Sequence, residues 1–146
     1  MIFVYSGLPG AGKSFIIGRR HPGAIICSTD DYAYDKGNFM PEKIGEAHGA
    51  CFARFIEACQ TAPFRDCVDI VVDNTNTTAP EIAPYMLAAQ AYKLEATIIT
   101  VFAPPEVAQS RNIHGVSKEI HGKMAIALAS RELMPWWDAS TIISSF

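Results

Sequence analysis

Three glycines, a lysine and a serine stand at fixed spacing in Gly7-Leu8-Pro9-Gly10-Ala11-Gly12-Lys13-Ser14, the pattern G-x-x-x-x-G-K-S. Glycines at 7, 10 and 12 let the backbone curl until successive N–H groups point at one spot, which suits an anion. A helix opening near Lys13 adds the positive end of its dipole there. Lys13 then reaches the β- and γ-phosphates of a nucleoside triphosphate, and the Ser14 hydroxyl binds Mg²⁺. The whole run from Gly7 through Leu8, Pro9, Gly10, Ala11 and Gly12 to Lys13 and Ser14 is therefore expected to hold ATP. A glycine-rich turn with an exposed lysine is the bland alternative, but it needs neither a strand before it nor a helix after it.

Two further segments carry acids and amides: Ser28-Thr29-Asp30-Asp31-Tyr32 and Asp73-Asn74-Thr75-Asn76. Moving a phosphoryl group to a hydroxyl needs a carboxylate that orients the attacking oxygen and accepts its proton. Asp30 is the candidate base. Asp31 is the alternate, or a cap on the following turn. Asp73 is the candidate to hold Mg²⁺ directly or through water, and Asn74 or Asn76 orients the acceptor or the base. Tyr32, with Tyr34 and Phe39, offers aromatic surface beside Asp30. Arg54 is the candidate cation of a groove leading to it. Further on, Arg111 in Arg111-Asn112-Ile113-His114-Gly115-Val116 is the expected phosphate clamp of a basic lid. Arg131 is the second choice. His114 contacts substrate or shapes the turn, and Lys118 and Lys123 read as a solvated face.

These groups need a scaffold that brings distant segments to one edge. Ile2 to Ser6, Ala24 to Ser28, Val68 to Asp73 and Leu94 to Phe102 read as apolar strands, with a last short one over Thr141-Ile142-Ile143. Helices are expected from Lys13 to Arg20, from Pro41 to about Gln60, from about Ala79 to Tyr92, from Pro104-Pro105 through Arg111, and from Lys118 to Leu133. Asp30 to Met40 reads as a loop with a short helical start. Strands alternating with helices predict an α/β protein whose mainly parallel sheet is covered on both faces. In such sheets ligands sit at the carboxyl ends of the strands, where the glycine loop, Asp30 and Asp73 all fall.

The 146 residues fit one compact domain over 1–146. With 49% hydrophobic and 18% charged residues the chain has enough apolar material for a core, which excludes global disorder. It contains no run of eighteen apolar residues, so no membrane-spanning helix is expected. Met1 leads straight into the first strand without a signal-peptide pattern, so a cytoplasmic location is expected. Cys27, Cys51, Cys59 and Cys67 form no C-x-x-C pair and read as buried free thiols. A net charge of −3 gives no general basic footprint, so a nucleic-acid substrate would need a local patch.

Taken in order, GLPGAGKS at 7–14, STDDY at 28–32, AH with Arg54 at 47–54, VDNTNTT at 72–78 and RNIHGVSKEIHGKM at 111–124 resemble the polynucleotide-kinase-like branch of P-loop kinases. The resemblance covers the chain to about Arg131. It implies a P-loop NTPase three-layer sandwich with strand order 2-3-1-4-5 and a small helical lid. It also implies an ATP- and Mg²⁺-dependent kinase acting on a hydroxyl of nucleic acid, DNA above all, either a hydroxymethylated pyrimidine base or a 5′-hydroxyl end. Asp30 matches the family's base, Lys13 and Ser14 its nucleotide residues, and Arg111 its lid arginine. Where phage-type 5′-kinases carry an acceptor-holding arginine, three residues after the base, this chain has Ala33. A kinase for a nucleoside or other small acceptor and a nucleotide-dependent regulatory ATPase are the alternatives.

Overall fold

The computed structural model describes residues 1–35, 37–64, 68–112 and 115–144. Cys67, His114 and the side chain of Phe39 lie outside the described residues. In chain order the elements are β1 (Ile2–Ser6), α1 (Lys13–Arg20), β2 (Ile25–Cys27), the single turn α2 (Asp30–Ala33), β3 (Tyr34–Asp35) and β4 (Asn38–Phe39). There follow α3 (Ile44–Thr61), β5 (Ile70–Asp73), α4 (Ala79–Ala91), β6 (Ala96–Phe102), α5 (Pro105–Ser110), α6 (Lys118–Ser130) and β7 (Ala139–Ile143).

Five strands form one parallel sheet in the order β2-β5-β1-β6-β7, which in the sheet's own numbering is the expected 2-3-1-4-5. β1 is central, with Val4 opposite Val72 on one side and Ile98 on the other. A strand flanked on both edges and both faces is apolar throughout rather than alternating, which is why Ile2 to Tyr5 reads as an unbroken run. Alternate residues still divide between two cores. Ile2, Val4, Val72 and Ile98 pack against Cys51 and Phe55 of α3 and Ile82 and Tyr85 of α4. Tyr5, Val71, Ile99 and Val101 pack on the opposite face against Ile16 and Ile17 of α1 and Ala108 of α5, with Met124 and Leu128 of α6 alongside. The result is three layers, helix–sheet–helix.

The expected loop over Asp30 to Met40 is more ordered than its polarity suggests. It holds α2 and then a short antiparallel hairpin pairing Tyr34 with Phe39, turned by Gly37 at φ 81°. The helix expected from Pro41 opens with a 3₁₀ turn, Pro41–Lys43, before α3 begins. The helix expected to reach Leu133 stops at Ser130, because Arg131 turns extended at φ −68°, ψ 149°. The last strand starts at Ala139, two residues earlier than expected, through pairing with Ile98 on β6. Among the described residues no helix is long and apolar enough to cross a membrane.

Candidate phosphotransfer site

The glycine loop runs from the end of β1 to the first turn of α1. Gly10 and Gly12 sit at φ 84° and 101°, in the region where a Cβ is strained, and Gly12 is the N-cap of α1. Gly10 has a second reason to be glycine: a Cβ there would run into the backbone carbonyl of Ala108 in α5. The loop is tied to its surroundings by Gly7 N–H donating to the Thr75 carbonyl at 2.9 Å. Leu8 and Ala11 are buried and anchor it in the core. From α6, buried His121 donates its Nε2–H to the Pro9 carbonyl at 3.0 Å. A carbonyl can only accept, so this bond also sets the histidine's tautomer.

Lys13 Nζ donates to the carbonyls of Gly7 at 2.9 Å and Leu8 at 3.1 Å. Burial pushes its ammonium below the ordinary lysine value, and the carboxylates of Asp73 and Asp30 pull it back up. Both acids therefore lie close enough to be felt at the lysine. Ser14 Oγ donates to Asp73 Oδ2 at 3.1 Å. That pair of oxygens beside a phosphate loop fits a hard, octahedral cation that keeps waters and takes phosphate oxygens as its other ligands. Among the described residues no group of three or more His, Cys, Asp or Glu side chains could hold a metal ion.

A cavity of about 540 Å³ opens over this loop. Lys13, Ser14, Asp73, Asn74, Asp30 and Arg111 all line it, as do Pro9, Gly10 and Gly12. Three strand ends and the segment after α5 thus converge on one space.

A family model described as an AAA domain matches residues 2–119. The chain belongs to this AAA-domain family. Human NEDD4-binding protein 2 is 38% identical over 129 residues, which is 82% of this chain and 7% of that protein. The chain therefore spans a small part of this curated relative's length. A gluconokinase from Sinorhizobium meliloti superposes at TM-score 0.61 over 99% of this chain and 82% of its own, with 12% identity. The APS kinase CysC of Mycobacterium tuberculosis, solved with AMPPNP and APS, does so at 0.55 over 99% and 88%, with 15% identity. At such identities the likeness is one of fold. It is the α/β fold of P-loop NTPases.

The AAA-domain chain does not bring every expected residue to the cavity. Asp31 and Tyr32 are exposed on α2 and do not line it, whereas Tyr34 does. Arg54 does not line it either: its Nε donates to the Ile26 carbonyl at 3.0 Å. β2 is an edge strand whose outward carbonyls lack a ladder partner, and Arg54 supplies one. Asn76 is buried in a left-handed conformation at φ 45° and donates to the Tyr5 carbonyl at 2.8 Å, so it supports the loop from below. Arg131 is held by Ser6 Oγ at 2.6 Å, the Asn76 carbonyl at 2.7 Å and Thr100 Oγ1 at 2.7 Å. Its guanidinium staples the strand ends together and is not offered to the cavity.

The cavity wall also holds residues given no site role from the sequence: Phe15, Ile44 and Glu81, and, inside the motifs quoted above, Thr29, His48 and Met124. One signal was available. Ile44 and His48 stand four apart on α3, so they share a helix face. The cysteines match their expectation where described: Cys27, Cys51 and Cys59 are free and buried. Burial, helped by neighbouring Cys51, pushes the Cys27 thiol up to about 12, and burial pushes Cys59 up to about 11.

Proposed function

We propose that this chain is an ATP-dependent kinase that moves the γ-phosphoryl group to a hydroxyl acceptor, with Asp30 as the base. The observation that carries this reading is the convergence of Lys13, Ser14, Asp73, Asp30 and Arg111 on one cavity. Lys13 and Arg111 neutralise the charge that spreads over the transferring group. Ser14 and Asp73 would hold Mg²⁺, which when bound would screen the charge of the phosphates. Asp30 orients the acceptor hydroxyl and takes its proton as the oxygen approaches phosphorus. The APS kinase of similar fold, solved with AMPPNP and APS, supports the assignment of a nucleoside triphosphate as donor.

For the acceptor we propose a hydroxyl of nucleic acid, on a hydroxymethylated pyrimidine of DNA or at a 5′ end. The ordered set of motifs shared with polynucleotide-kinase-like enzymes supports it. Tyr34 on the cavity wall supplies one face on which a base can stack. A second reading, a small alcohol, is favoured by a specific observation. On the wall Asp30, Asp73 and Glu81 outnumber Lys13 and Arg111, Arg54 lies elsewhere, and Ala33 is buried.

The test uses γ-labelled ATP, Mg²⁺ and three acceptors: 5′-hydroxyl DNA, hydroxymethylated duplex DNA and a panel of nucleosides and sugars. Label on either DNA is expected. Label on small alcohols alone would replace the acceptor assignment, and none at all would remove the kinase reading. Asp30→Asn should leave ATP affinity nearly intact and cut turnover by about 10²-fold or more.

A further inference from the structure

We propose that Cys51 and Tyr85, both buried in the core away from the cavity, are positioning residues that aim the Asp30 turn through Asn74. The proposal rests on the reading of Asp30 as the base. Asn74 follows β5 and is buried at 7% exposure. Its Oδ1 accepts from Thr29 N–H at 2.8 Å and from Thr29 Oγ1 at 3.0 Å. Thr29 immediately precedes Asp30 and, with Asn74 itself, lines the cavity. The backbone N–H of Thr29 can only donate, so the oxygen end of the carboxamide must face it. The amide's NH₂ end is then turned into the core, where a buried donor needs an acceptor.

That acceptor is a thiol. Asn74 Nδ2 donates to Cys51 Sγ at 3.6 Å. Tyr85 donates its hydroxyl to the same sulfur at 3.3 Å. Burial raises the Tyr85 phenol above its ordinary value, and the bond to Cys51 adds to this, so it remains a donor. Cys51 belongs to α3 and Tyr85 to α4, so the chain Tyr85–Cys51–Asn74–Thr29 links two helices and two strand ends to the turn that carries Asp30. Loss of the sulfur removes the acceptor that Nδ2 and the Tyr85 hydroxyl share, leaving Nδ2 the phenol oxygen as its core partner. The carboxamide is then held less firmly from the core, and its bond to Thr29 weakens.

Three variants test this: Cys51→Ala, Cys51→Ser and Cys59→Ala. Cys59 is buried on the same helix and serves as the packing control. For Cys51→Ala the expected result is a fall in kcat of about 10-fold with KM for ATP within about 2-fold, the size that supporting-shell losses commonly show. Cys51→Ser, which restores an acceptor of similar size, should recover most of it. Cys59→Ala should lower the melting temperature without lowering kcat of the folded protein.

Amide hydrogen exchange at Thr29 gives a readout that needs neither nucleotide nor acceptor. It should accelerate in Cys51→Ala and slow again in Cys51→Ser. Unchanged Thr29 exchange in Cys51→Ala, or wild-type kcat in that variant, would overturn the proposal. A wild-type protein that phosphorylates nothing would instead overturn the kinase reading, so the two failures are distinguishable.

Discussion

Lys13 and Ser14 are adjacent in the chain but face different partners. The lysine turns back over the loop carbonyls of Gly7 and Leu8, while the serine points across to Asp73. In the proposed reaction the lysine places positive charge beside the phosphates, and the serine offers an oxygen to a cation. Lys13→Ala should therefore lose triphosphate affinity and activity together, which calorimetric titration with ATP checks; unchanged affinity would refute the role. Asp73→Asn should raise the Mg²⁺ concentration for half-maximal activity by roughly 10-fold or more, read from a Mg²⁺ titration at saturating ATP. That Asp30, Lys13, Ser14 and Arg111 would meet at one cavity was legible from residue type and motif order. Arg54, Asn76 and Arg131 were not, because a polar side chain beside a site has the same sequence signature whether it serves ligand or backbone. Arg54 and Asn76 each satisfy a main-chain carbonyl, and the need of buried or edge carbonyls for donors decided between the two uses.

At the level of elements, the glycine loop keeps its shape because neighbours hold it. α5 presses the Ala108 carbonyl against Gly10, and α6 reaches Pro9 through His121. Gly10→Ala combines a left-handed backbone with a clash against main chain. The strain is about 1–3 kcal/mol, which, borne by the bound loop, converts to a rise in ATP Kd of roughly 5–150-fold. Binding measured beside the melting curve checks it: near-wild-type affinity in a folded variant would show that the loop adapts freely. Helices and strands were largely legible because their apolar periods match the fold they build. The hairpin of β3 and β4 was not, since strands of two residues are too short to show a period. His121 escaped for a related reason. Its position on α6 follows from helical spacing, but its partner lies 112 residues away.

For the molecule as a whole, Arg131 is the piece that joins the sheet's working edge. It bonds Ser6 at the end of β1, the Asn76 carbonyl beyond β5 and Thr100 on β6. Arg131→Met keeps the volume and deletes all three bonds, at a cost of about 3 kcal/mol. For a chain of this size the melting temperature should fall by roughly 10 °C. ATP affinity of the folded variant should stay within about 2-fold; a large loss of affinity without a loss of stability would return Arg131 to the phosphate site. The sequence by itself determined the glycine loop and the layered fold. A phosphate loop is a local object, built from consecutive residues, and a buried parallel sheet writes itself as apolar runs. Only the tertiary structure decided which arginines face the cavity, which asparagine holds Thr29 beside Asp30, and that a core thiol stands behind that asparagine. Those are contacts between segments far apart in the chain, and no local pattern specifies which of several polar side chains a distant carbonyl will claim.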